Sequence, residues 1–509
     1  MRKWWPLVTV CLGTFMLLVD VTIVNVALPP MATDLRTSFS SLQWVIDGYA
    51  LSLGVLLLGA GALGDLLGHR RMYAGGLVLF ALSSLACGLA SNDGLLVAAR
   101  VVQGVGAAAM FTTTFALLNS SYQGRERGTA YGVWGGVSGA AAAVGPILGG
   151  LLTDAFSWRW IFLVNLPVSI AAVILCRTVL RPDGPRRRGR FDVAGTATFT
   201  VAAAALTVAV IRADRAGWGS AQTWGLFLLS AVALAAFVLV ERRSPHAMLD
   251  LSLLRRRSFA GILIASLLVN FAAFAAFTYT SLWLQSVIGL TPLQAGLTGL
   301  PVSILSVAVS GIAGAKLHGR SPRLLIGTGM LLIGVGGLVC AAMVGPGSSW
   351  PALILGYAII GAGVGLVMPT LASSAMSAVA PERGGMAAGA ITTARQLGFA
   401  IGIAVLGAVF AARARGSLAG QGTADPAGTA EGLAGGQAAR ILAAVPDAAR
   451  SSVDRALHTA AVAGIDAGFL VAAGVGLAGA LAVFLLVRPA PRPPWQRPAA
   501  SEPESAPVA

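Results

Sequence analysis

The chain has 509 residues, of which 56% are hydrophobic and only 11% are charged, and its mean hydropathy is +0.80. A soluble protein would carry about a quarter charged residues, so this composition excludes a soluble globular domain. The formal net charge of +15 would suit nucleic acid, but a nucleic-acid groove requires basic and aromatic residues interleaved on one surface. The basic loops lack that interleaving, and no nucleic-acid partner is expected.

Apolar runs of about 20 residues, long enough to cross a bilayer as helices, recur along the whole chain. They predict an all-α integral membrane protein with fourteen transmembrane helices. The predicted spans are 7–28, 42–60, 72–90, 94–118, 131–152, 160–180, 193–211, 223–240, 259–287, 292–315, 324–344, 352–379, 386–411 and 465–487.

The basic residues fall unevenly on the two sides of these spans. With the N-terminus inside, most of the 35 Lys and Arg residues lie on cytoplasmic segments, which is the positive-inside bias. The excess of Arg over Lys and the abundance of Ala and Gly indicate a bacterial source. We therefore expect a multi-pass protein of the bacterial cytoplasmic (cell) membrane with both termini in the cytoplasm. The basic clusters are expected to contact anionic membrane lipids.

Neither a metal site nor a cofactor site is expected. The four cysteines, Cys11, Cys87, Cys176 and Cys340, lie inside separate spans without a C-x-x-C pair, and no predicted span contains a histidine. A membrane enzyme would need clustered His, Asp or Glu at one depth, and the sequence has no nucleotide-binding loop. The sequence therefore predicts a protein that is not an enzyme and is not driven by ATP.

A short polar hairpin joins the second and third predicted spans. Its glycines let two helix ends approach closely, its aspartate can cap or pair across the turn, and its last residues carry positive charge beside the membrane. The pattern G-x-L-[GA]-D-x-x-G-[RH]-[RK]-[RK] resembles the hairpin between spans two and three of the major facilitator superfamily. The residues expected to act in conformational change are Gly61, Gly64, Asp65, Gly68, Arg70 and Arg71.

Resemblance to this superfamily implies the major facilitator fold, two six-helix halves with a substrate site between them near the middle of the membrane. The N-terminal half is expected at 1–180. The C-terminal half is expected at 259–487 and includes an external loop at 412–464. The region 181–258 is expected to be an inserted helix pair, spans seven and eight, with basic linkers. A disordered cytoplasmic tail is expected at 488–509.

Three further segments resemble the fourteen-span drug:proton antiporters, the QacA/EmrB-like group of multidrug efflux transporters. Val19 to Pro29 matches L-D-x-T-[VI]-V-N-V-A-L-P after its first position, and Ser157 to Pro167 contains W-R-W-I-F-x-[VI]-N-x-P. The end of the fifth span resembles the antiporter motif G-x-x-x-G-P-x-x-G-G, with Ala141 in place of the first glycine. Its proline and glycines predict a bend and a close helix contact. The motif residues are Gly145, Pro146, Gly149 and Gly150.

Asp20, Arg100 and Asp47 are the candidate proton-coupling residues. A charged carboxylate inside a span costs several kcal/mol, so Asp20 must be paired, hydrated or protonated. Arg100 lies in L-x-x-x-R-x-x-Q-G-x-G-x-A, an element that the superfamily associates with proton transfer, and spans one and four commonly adjoin in this fold. Two alternatives remain open: a hydrogen-bonded structural aspartate, and a buried ion pair that only fixes packing. Asp47 is either a second protonation site or an aspartate of the external vestibule.

Six polar residues are weaker candidates for a drug-binding pocket. They lie on the first, ninth and thirteenth predicted spans, where a polar group should face the protein interior. For Arg395 both coupling and packing remain open, and any of the others can instead be an ordinary core or lipid-facing residue. The six are Asn25, Asn270, Tyr279, Gln285, Arg395 and Gln396.

The resemblance implies proton-coupled export, or antiport, of hydrophobic or amphipathic drugs or antibiotics by alternating access, which would confer drug resistance. The implied partners are a small drug-like substrate, protons and membrane lipids, and a functional monomer is expected. The alternative is an exporter of an endogenous metabolite, lipid or self-made antibiotic on the same fold. A membrane enzyme or a receptor is a more distant alternative.

Overall fold

The computed structural model describes residues 2–37, 39–183, 191–216, 219–244, 247–317, 320–345, 347–379 and 384–488. Within these ranges the chain is built from helices and contains no β-strand, which confirms the all-α prediction. The expected disordered tail lies outside the described residues, apart from Arg488. Most of the basic linker that opens the expected inserted pair, 184–190, also lies outside them.

Seven helices form the first part of the described chain. They are α1 (Trp5–Asp34), α2 (Phe39–Leu67), α3 (His69–Gly88), α4 (Asp93–Ser121), α5 (Gly124–Ala155), α6 (Trp160–Leu163) and α7 (Asn165–Val179). Pro6 lies in the first turn of α1. Backbone N–H groups there have no acceptor within the helix, so proline costs no hydrogen bond. Asn92 caps α4 by accepting a hydrogen bond from the Leu95 N–H at 2.8 Å. Between α2 and α3, Gly68 adopts a φ of 99°, which glycine tolerates without a steric penalty.

Thirteen further helices follow. They are α8 (Val193–Ala216), α9 (Ala221–Arg243), α10 (Leu251–Leu254), α11 (Arg257–Asn270), α12 (Ala276–Leu282), α13 (Pro292–Leu297), α14 (Leu300–Lys316), α15 (Pro322–Met343), α16 (Ile354–Ser377), α17 (Gly384–Gly420), α18 (Pro426–Ala434), α19 (Ala438–Ala443) and α20 (Asp447–Leu486). The predicted ninth span is helical throughout, because π-helical turns at Phe271–Ala275 and Trp283–Val287 continue α11 and α12. The predicted tenth span is divided between α13 and α14.

Two helices extend far beyond their predicted spans. α17 continues to Gly420, and α20 begins at Asp447 rather than near Ile465. The region 412–464, expected to be an external loop with short helices near 441–461, therefore contains the ends of these two helices together with α18 and α19. Hydropathy identifies only the apolar stretch of a helix that can cross the membrane. Alanine-rich sequence also favours the helical conformation, so the helix can continue beyond that stretch.

Twelve helical segments in the described part of the chain are long and apolar enough to cross a membrane, so the prediction of a multi-pass membrane protein is confirmed. The predicted fifth and seventh spans are not among the twelve. They fall on α5, a helix of 32 residues, and on α8, whose apolar stretch Val193–Ala209 is shorter. The count of fourteen spans stays a prediction.

The bundle has two ends, which we name from the positions of the helix termini. The N-terminal face contains residues 2–5 and the turns near 68 and 122, and Lys3 there donates a hydrogen bond to Glu126 at 2.8 Å. The opposite face contains the end of α1 at 34–37 and the turns at 88–93 and 155–160. Because α1 to α5 run alternately up and down, residues far apart in sequence meet at each face.

Glycines bring helix backbones into direct contact throughout the bundle. A Cβ atom on Gly76 of α3 would lie 2.8 Å from the Gly106 carbonyl oxygen of α4. The same close approach joins the two ends of the sequence, because a Cβ on Gly132 of α5 would lie 2.9 Å from the Ser310 carbonyl oxygen of α14. Helices in lipid gain little from hydrophobic contact with each other, so small residues that allow tight packing hold them together.

Adjacent glycines of α3 test this packing. Gly76→Ala should lower the apparent melting temperature of the purified protein, because the added methyl group forces α3 away from α4 and overpacking of this kind typically costs about 1–3 kcal/mol. Gly75→Ala is the matched control: no atom lies within 4 Å of its Cβ position, and alanine favours helix over glycine by up to about 1 kcal/mol. Thermal unfolding in detergent should therefore change in opposite directions, and an equal response of both variants would contradict the packing argument.

Candidate functional site

The structure places Asp20 of α1 and Arg100 of α4 in direct contact. The Arg100 Nη1 donates to Asp20 Oδ2 in an ion pair, and both side chains are 0% exposed. Asp20 lies at the middle of the 30-residue α1, and Arg100 lies within the first three turns of α4. The pair is therefore enclosed within the bundle, in the half nearer the opposite face.

Three neutral polar side chains complete the environment of Asp20. Its Oδ1 accepts hydrogen bonds from Gln103 Nε2 at 3.2 Å and from Asn165 Nδ2 at 3.0 Å. Ser84 of α3 accepts from the same two amides, at 2.7 Å and 3.3 Å, and Gln103 accepts from Arg100 at 2.7 Å. All five side chains are buried. An ionised carboxylate with three donors is stabilised in this closed network.

Arg100 is held by further contacts from α2 and α6. Its Nε donates to the Val45 carbonyl oxygen at 2.9 Å. Its guanidinium carbon lies 4.1 Å from the centre of the Tyr49 ring and 5.7 Å from that of Phe162, which is a cation–π arrangement. The remaining nitrogen, Nη2, is buried without a hydrogen-bond partner among the described residues. The guanidinium therefore retains one nitrogen, with its two N–H groups, unused beside the ion pair.

Two further candidates lie on α1 and α2. Asp47 is half-buried on α2, two residues before Tyr49. The side chain of Asn25 lies outside the part of the chain that the structure describes.

The antiporter-motif glycines contact the turn of α1 that carries Asp20. A Cβ on Gly145 of α5 would collide with the Thr22 hydroxyl and lie 3.1 Å from the Val19 carbonyl oxygen, and one on Gly149 would lie 2.7 Å from the Ile23 carbonyl oxygen. α5 therefore packs on α1 backbone to backbone at 19–23. The side chain of Pro146 is outside the described residues, and Gly150 is half-buried.

The hairpin between α2 and α3 docks on α17 at the N-terminal face. The Asp65 carboxylate accepts hydrogen bonds from the backbone N–H groups of Gly385 at 2.8 Å and Met386 at 2.9 Å. These groups begin α17, so the negative charge lies at the positive end of the helix dipole. A Cβ on Gly61 would collide with the Gly385 carbonyl, and one on Gly64 would lie 3.2 Å from Thr113. Asp65 thus connects residues far apart in the chain.

The positive end of the hairpin is fixed by a residue that the sequence did not single out. Asp183, after α7, accepts from the backbone N–H groups of Arg70 at 2.8 Å and Arg71 at 3.2 Å. The Arg70 side chain donates to the Cys176 carbonyl oxygen at 3.1 Å. Because the Asp183 carboxylate packs over Gly68, where a Cβ would overlap it, glycine is required there for space as well as for φ.

At the opposite face, a polar cluster ties the end of α1 to the segment before α6. Asp34 Oδ2 accepts from Trp158 Nε1 at 3.0 Å and forms an ion pair with Arg159. The hydrogen bonds from Arg159 and Trp158 hold the pKa of the Asp34 carboxyl below its usual range. The cluster therefore stays charged at neutral pH, in agreement with an anchoring role for these aromatic and basic residues.

The weaker pocket candidates separate into two groups. Arg395 Nε donates to Asn270 Oδ1 at 3.3 Å, which joins α17 to α11, and Gln396 lies 3.8 Å from the Cβ position of Gly54 on α2. These three lie where α2, α11 and α17 converge. Tyr279 donates to the Ile403 carbonyl oxygen at 2.9 Å, farther towards the opposite face. Gln285 is exposed and donates to Ser281 on its own helix.

Sequence reasoning missed Gln103, Asn165 and Ser84 as members of the charged network. Gln103 is the glutamine of the quoted R-x-x-Q-G pattern, and Asn165 is the asparagine of the F-x-[VI]-N-x-P pattern. The neutral polar residues of these two motifs could therefore have been predicted as site residues. Ser84 lies in an apolar run without a motif, and nothing in the sequence distinguished it. Among the described residues, no group of three or more His, Cys, Asp or Glu could hold a metal ion.

Comparison with known proteins agrees with this architecture. Residues 10–403 match the family model described as Major Facilitator Superfamily. The chain is 38% identical over 410 residues to the multidrug resistance protein Stp of Mycobacterium tuberculosis, covering 80% of this chain and 75% of that one. It is 36% identical over 449 residues to the puromycin resistance protein pur8 of Streptomyces alboniger, covering 87% and 89%.

Two further similarities extend over almost the whole chain. The tetracenomycin C resistance and export protein of Streptomyces glaucescens is 31% identical over 505 residues, covering 95% of this chain and 91% of that one. The crystal structure of the human organic anion transporter MFSD10 (TETRAN) superposes with a TM-score of 0.62 at 16% identity, covering 94% and 99%. At that identity the structural similarity concerns the fold alone.

Replacing Asp65 tests the contact between α2 and α17. Asp65→Ala should lower stability by about 1 kcal/mol, since it removes both the acceptors and the charge from the first turn of α17. Asp65→Asn retains one oxygen acceptor and should lose less. The apparent melting temperature in detergent should follow the order wild type, Asn, Ala. A wild-type value for Asp65→Ala would show that the docking does not depend on this cap.

Proposed function

We propose that this chain, which belongs to the Major Facilitator Superfamily, exports hydrophobic or amphipathic drugs or antibiotics in exchange for protons. The family consists of transporters of small molecules rather than enzymes. Similar chains carry names that describe resistance to several drugs, to puromycin, and resistance to and export of tetracenomycin C. The observation that supports a proton-driven mechanism is the buried Asp20–Arg100 pair.

Asp20 is the proposed proton-binding residue. As an ion it has three donors, one of them the Arg100 cation. A proton on Asp20 removes that attraction and leaves a buried cation without its counter-charge, which is unfavourable at low dielectric. Protonation therefore favours a shift of Arg100, whose Nη2 nitrogen is free to form a new hydrogen bond while the Tyr49 ring keeps its cation–π contact with the guanidinium. Proton binding and a change of local structure are coupled in this way.

Two helix contacts transmit that change. α5 packs on the α1 turn 19–23 through Gly145 and Gly149, and it crosses α14 through Gly132. A shift of α1 around Asp20 would then alter the contact between α5 and α14. In the conformation described, the N-terminal face is bridged by this crossing and by Asp65 at the start of α17. Breaking both bridges is the proposed step that alternates access between the two faces.

The proposed topology has fourteen spans, as in the drug:proton antiporter group. We divide them into an N-terminal half at 1–180, an inserted pair within 181–258 and a C-terminal half at 259–487. The N-terminal face is assigned to the cytoplasm of a bacterial cell because the basic clusters concentrate there. Transport is proposed for the monomer, with protons, substrate and membrane lipids as its partners. The names of the similar chains are compatible both with export of foreign drugs and with export of an antibiotic that the cell itself makes.

The proposed substrate is neutral, zwitterionic or singly charged. The spans of the C-terminal half from 259 to 411 contain no Asp or Glu, and they do contain Arg395. Without a second carboxylate a dication would remain uncompensated in the membrane. In a pump-deficient host, expression should raise resistance to monovalent dyes or neutral antibiotics more than to a bis-cationic antiseptic. Strong resistance to the bis-cationic compound alone would contradict this.

Asp20→Asn should reduce proton-driven efflux to near background and abolish substrate-induced proton release, because the amide cannot titrate. Purified protein in proteoliposomes, normalised to folded protein, provides the measurement. Asp20→Glu retains a titrating group and should recover part of the transport. Asp47→Asn should have a smaller effect, since Asp47 is half-buried in the outer third of its span, where water can reach the carboxyl.

The comparison of Asp20→Asn with Asp47→Asn decides where the proton binds. Normal transport by Asp20→Asn together with an inactive Asp47→Asn would move the coupling site from α1 to α2. Normal proton release in both single variants would exclude both residues as the coupling site.

A further inference from the structure

Two carboxyl groups meet on the helix pair α8–α9, well away from the Asp20 network. Asp192 immediately precedes α8, and Glu241 lies in the last turn of α9. The Asp192 Oδ2 lies 2.7 Å and the Glu241 Oε1 lies 2.8 Å from the position that a Cβ on Gly195 would take. Glu241 is only 5% exposed. The two oxygens therefore converge over the same glycine.

In each carboxyl group one oxygen is bonded and the other is not. Asp192 Oδ1 accepts from the Gly195 N–H at 2.7 Å, and Glu241 Oε2 accepts from the Leu249 N–H at 3.2 Å. The two converging oxygens, Asp192 Oδ2 and Glu241 Oε1, are buried without a hydrogen-bond partner in the described part of the chain. Unpaired buried oxygens are unfavourable, and two ionised carboxylates converging on one glycine would also repel each other.

The helix dipoles distinguish the two groups. Asp192 lies at the N-terminus of α8, where a negative charge is stabilised, whereas Glu241 lies at the C-terminus of α9, where it is destabilised. Burial of Glu241 acts in the same direction. Asp192 is therefore the member expected to be ionised, and Glu241 the member expected to be neutral.

The neighbouring elements supply no charge that would neutralise Glu241 among the described residues. Arg242 and Arg243 follow it on α9 but are exposed. The segment after α9 contributes the Leu249 N–H, and Asp250 accepts from the Ser252 N–H at the start of α10. α2 presents Gly59, which packs against Thr196 of α8.

We propose that Asp192 and Glu241 form a proton-binding site, in which protonated Glu241 donates a hydrogen bond from Oε1 to Oδ2 of ionised Asp192. One proton then satisfies both unpaired oxygens and halves the buried negative charge. A divalent cation would also neutralise the pair, but such ions require about six to eight oxygen ligands. The described residues place only two unpaired oxygens at this point, which favours the proton.

This proton joins three segments of the chain. Asp192 starts α8, Glu241 ends α9, and the Leu249 N–H ties the segment leading to α10 onto Glu241. Loss of the proton would bring two negative charges together and loosen all three contacts. The site contains neither Asp20 nor Arg100, so the experiments that test it do not depend on the proposed transport mechanism.

Infrared difference spectroscopy of the purified protein tests the protonation state directly. At neutral pH the wild type should show a carboxylic-acid carbonyl band that disappears in Glu241→Gln. The matched control is Glu126→Gln, because Glu126 is exposed and paired with Lys3, and that variant should keep the band. Identical spectra for wild type and Glu241→Gln would overturn the proposal.

Thermal unfolding separates a proton from a metal ion. Glu241→Gln supplies an amide donor for Asp192 and a carbonyl for Leu249, so its apparent melting temperature at neutral pH should equal the wild-type value, whereas Glu241→Ala should melt lower. A marked loss of stability in Glu241→Gln would contradict the protonated form. Mg²⁺ or Ca²⁺ would instead occupy the site if either ion stabilised the wild type but not Glu241→Gln, and if a chelator reversed the effect. That outcome would contradict the proton-binding proposal.

Discussion

Direct contact between helix backbones at glycine is the constraint on which the rest of this structure depends. In lipid a helix gains little from burying apolar side chains against another helix, so association relies on close packing and on a few polar contacts. The α3–α4 contact at Gly76 and Gly106 and the α15–α16 contact at Gly329 and Gly363 leave no room for a side chain. Such contacts fix the separation and register of neighbouring helices, and polar groups on them then meet within hydrogen-bond distance.

The buried charge network depends on that register. Asp20, Arg100 and Asn165 come from three helices, and the network closes only when all three are aligned at one depth. An isolated charge there would be strongly unfavourable, whereas the closed set satisfies every oxygen of the carboxylate. In the proposed mechanism, a proton on Asp20 would remove its attraction to Arg100 and disturb this arrangement.

Helix ends provide a second recurring principle. Asp65, Asp183 and Asp192 each place a carboxylate against the first N–H groups of a helix, α17, α3 and α8 respectively. The interaction is the same in all three, but the consequence differs: Asp65 bridges distant parts of the chain, Asp183 orders the hairpin, and Asp192 meets a second carboxyl group. Glu241 lies instead in the last turn of α9, at the unfavourable end of the helix dipole, and it is buried, so its environment favours a neutral side chain.

Much of the organisation was readable from the sequence because it depends on local properties. Apolar runs predicted membrane helices, and an aspartate and an arginine inside such runs were expected to face the protein interior, where they could meet. Hydropathy did not predict how far α17 and α20 continue beyond the apolar runs, since alanine-rich sequence forms helix inside or outside lipid.

The amino-acid sequence by itself determined the all-helical membrane class, the approximate spans and the residues that carry charge within them. The tertiary structure alone decided that Ser84 joins the network around Asp20, that Asp65 caps α17 and that Glu241 and Asp192 converge over Gly195. These contacts join residues on different helices whose relative rotation and depth follow from packing along their full length. No local pattern encodes that geometry, because it arises from many glycine contacts acting together.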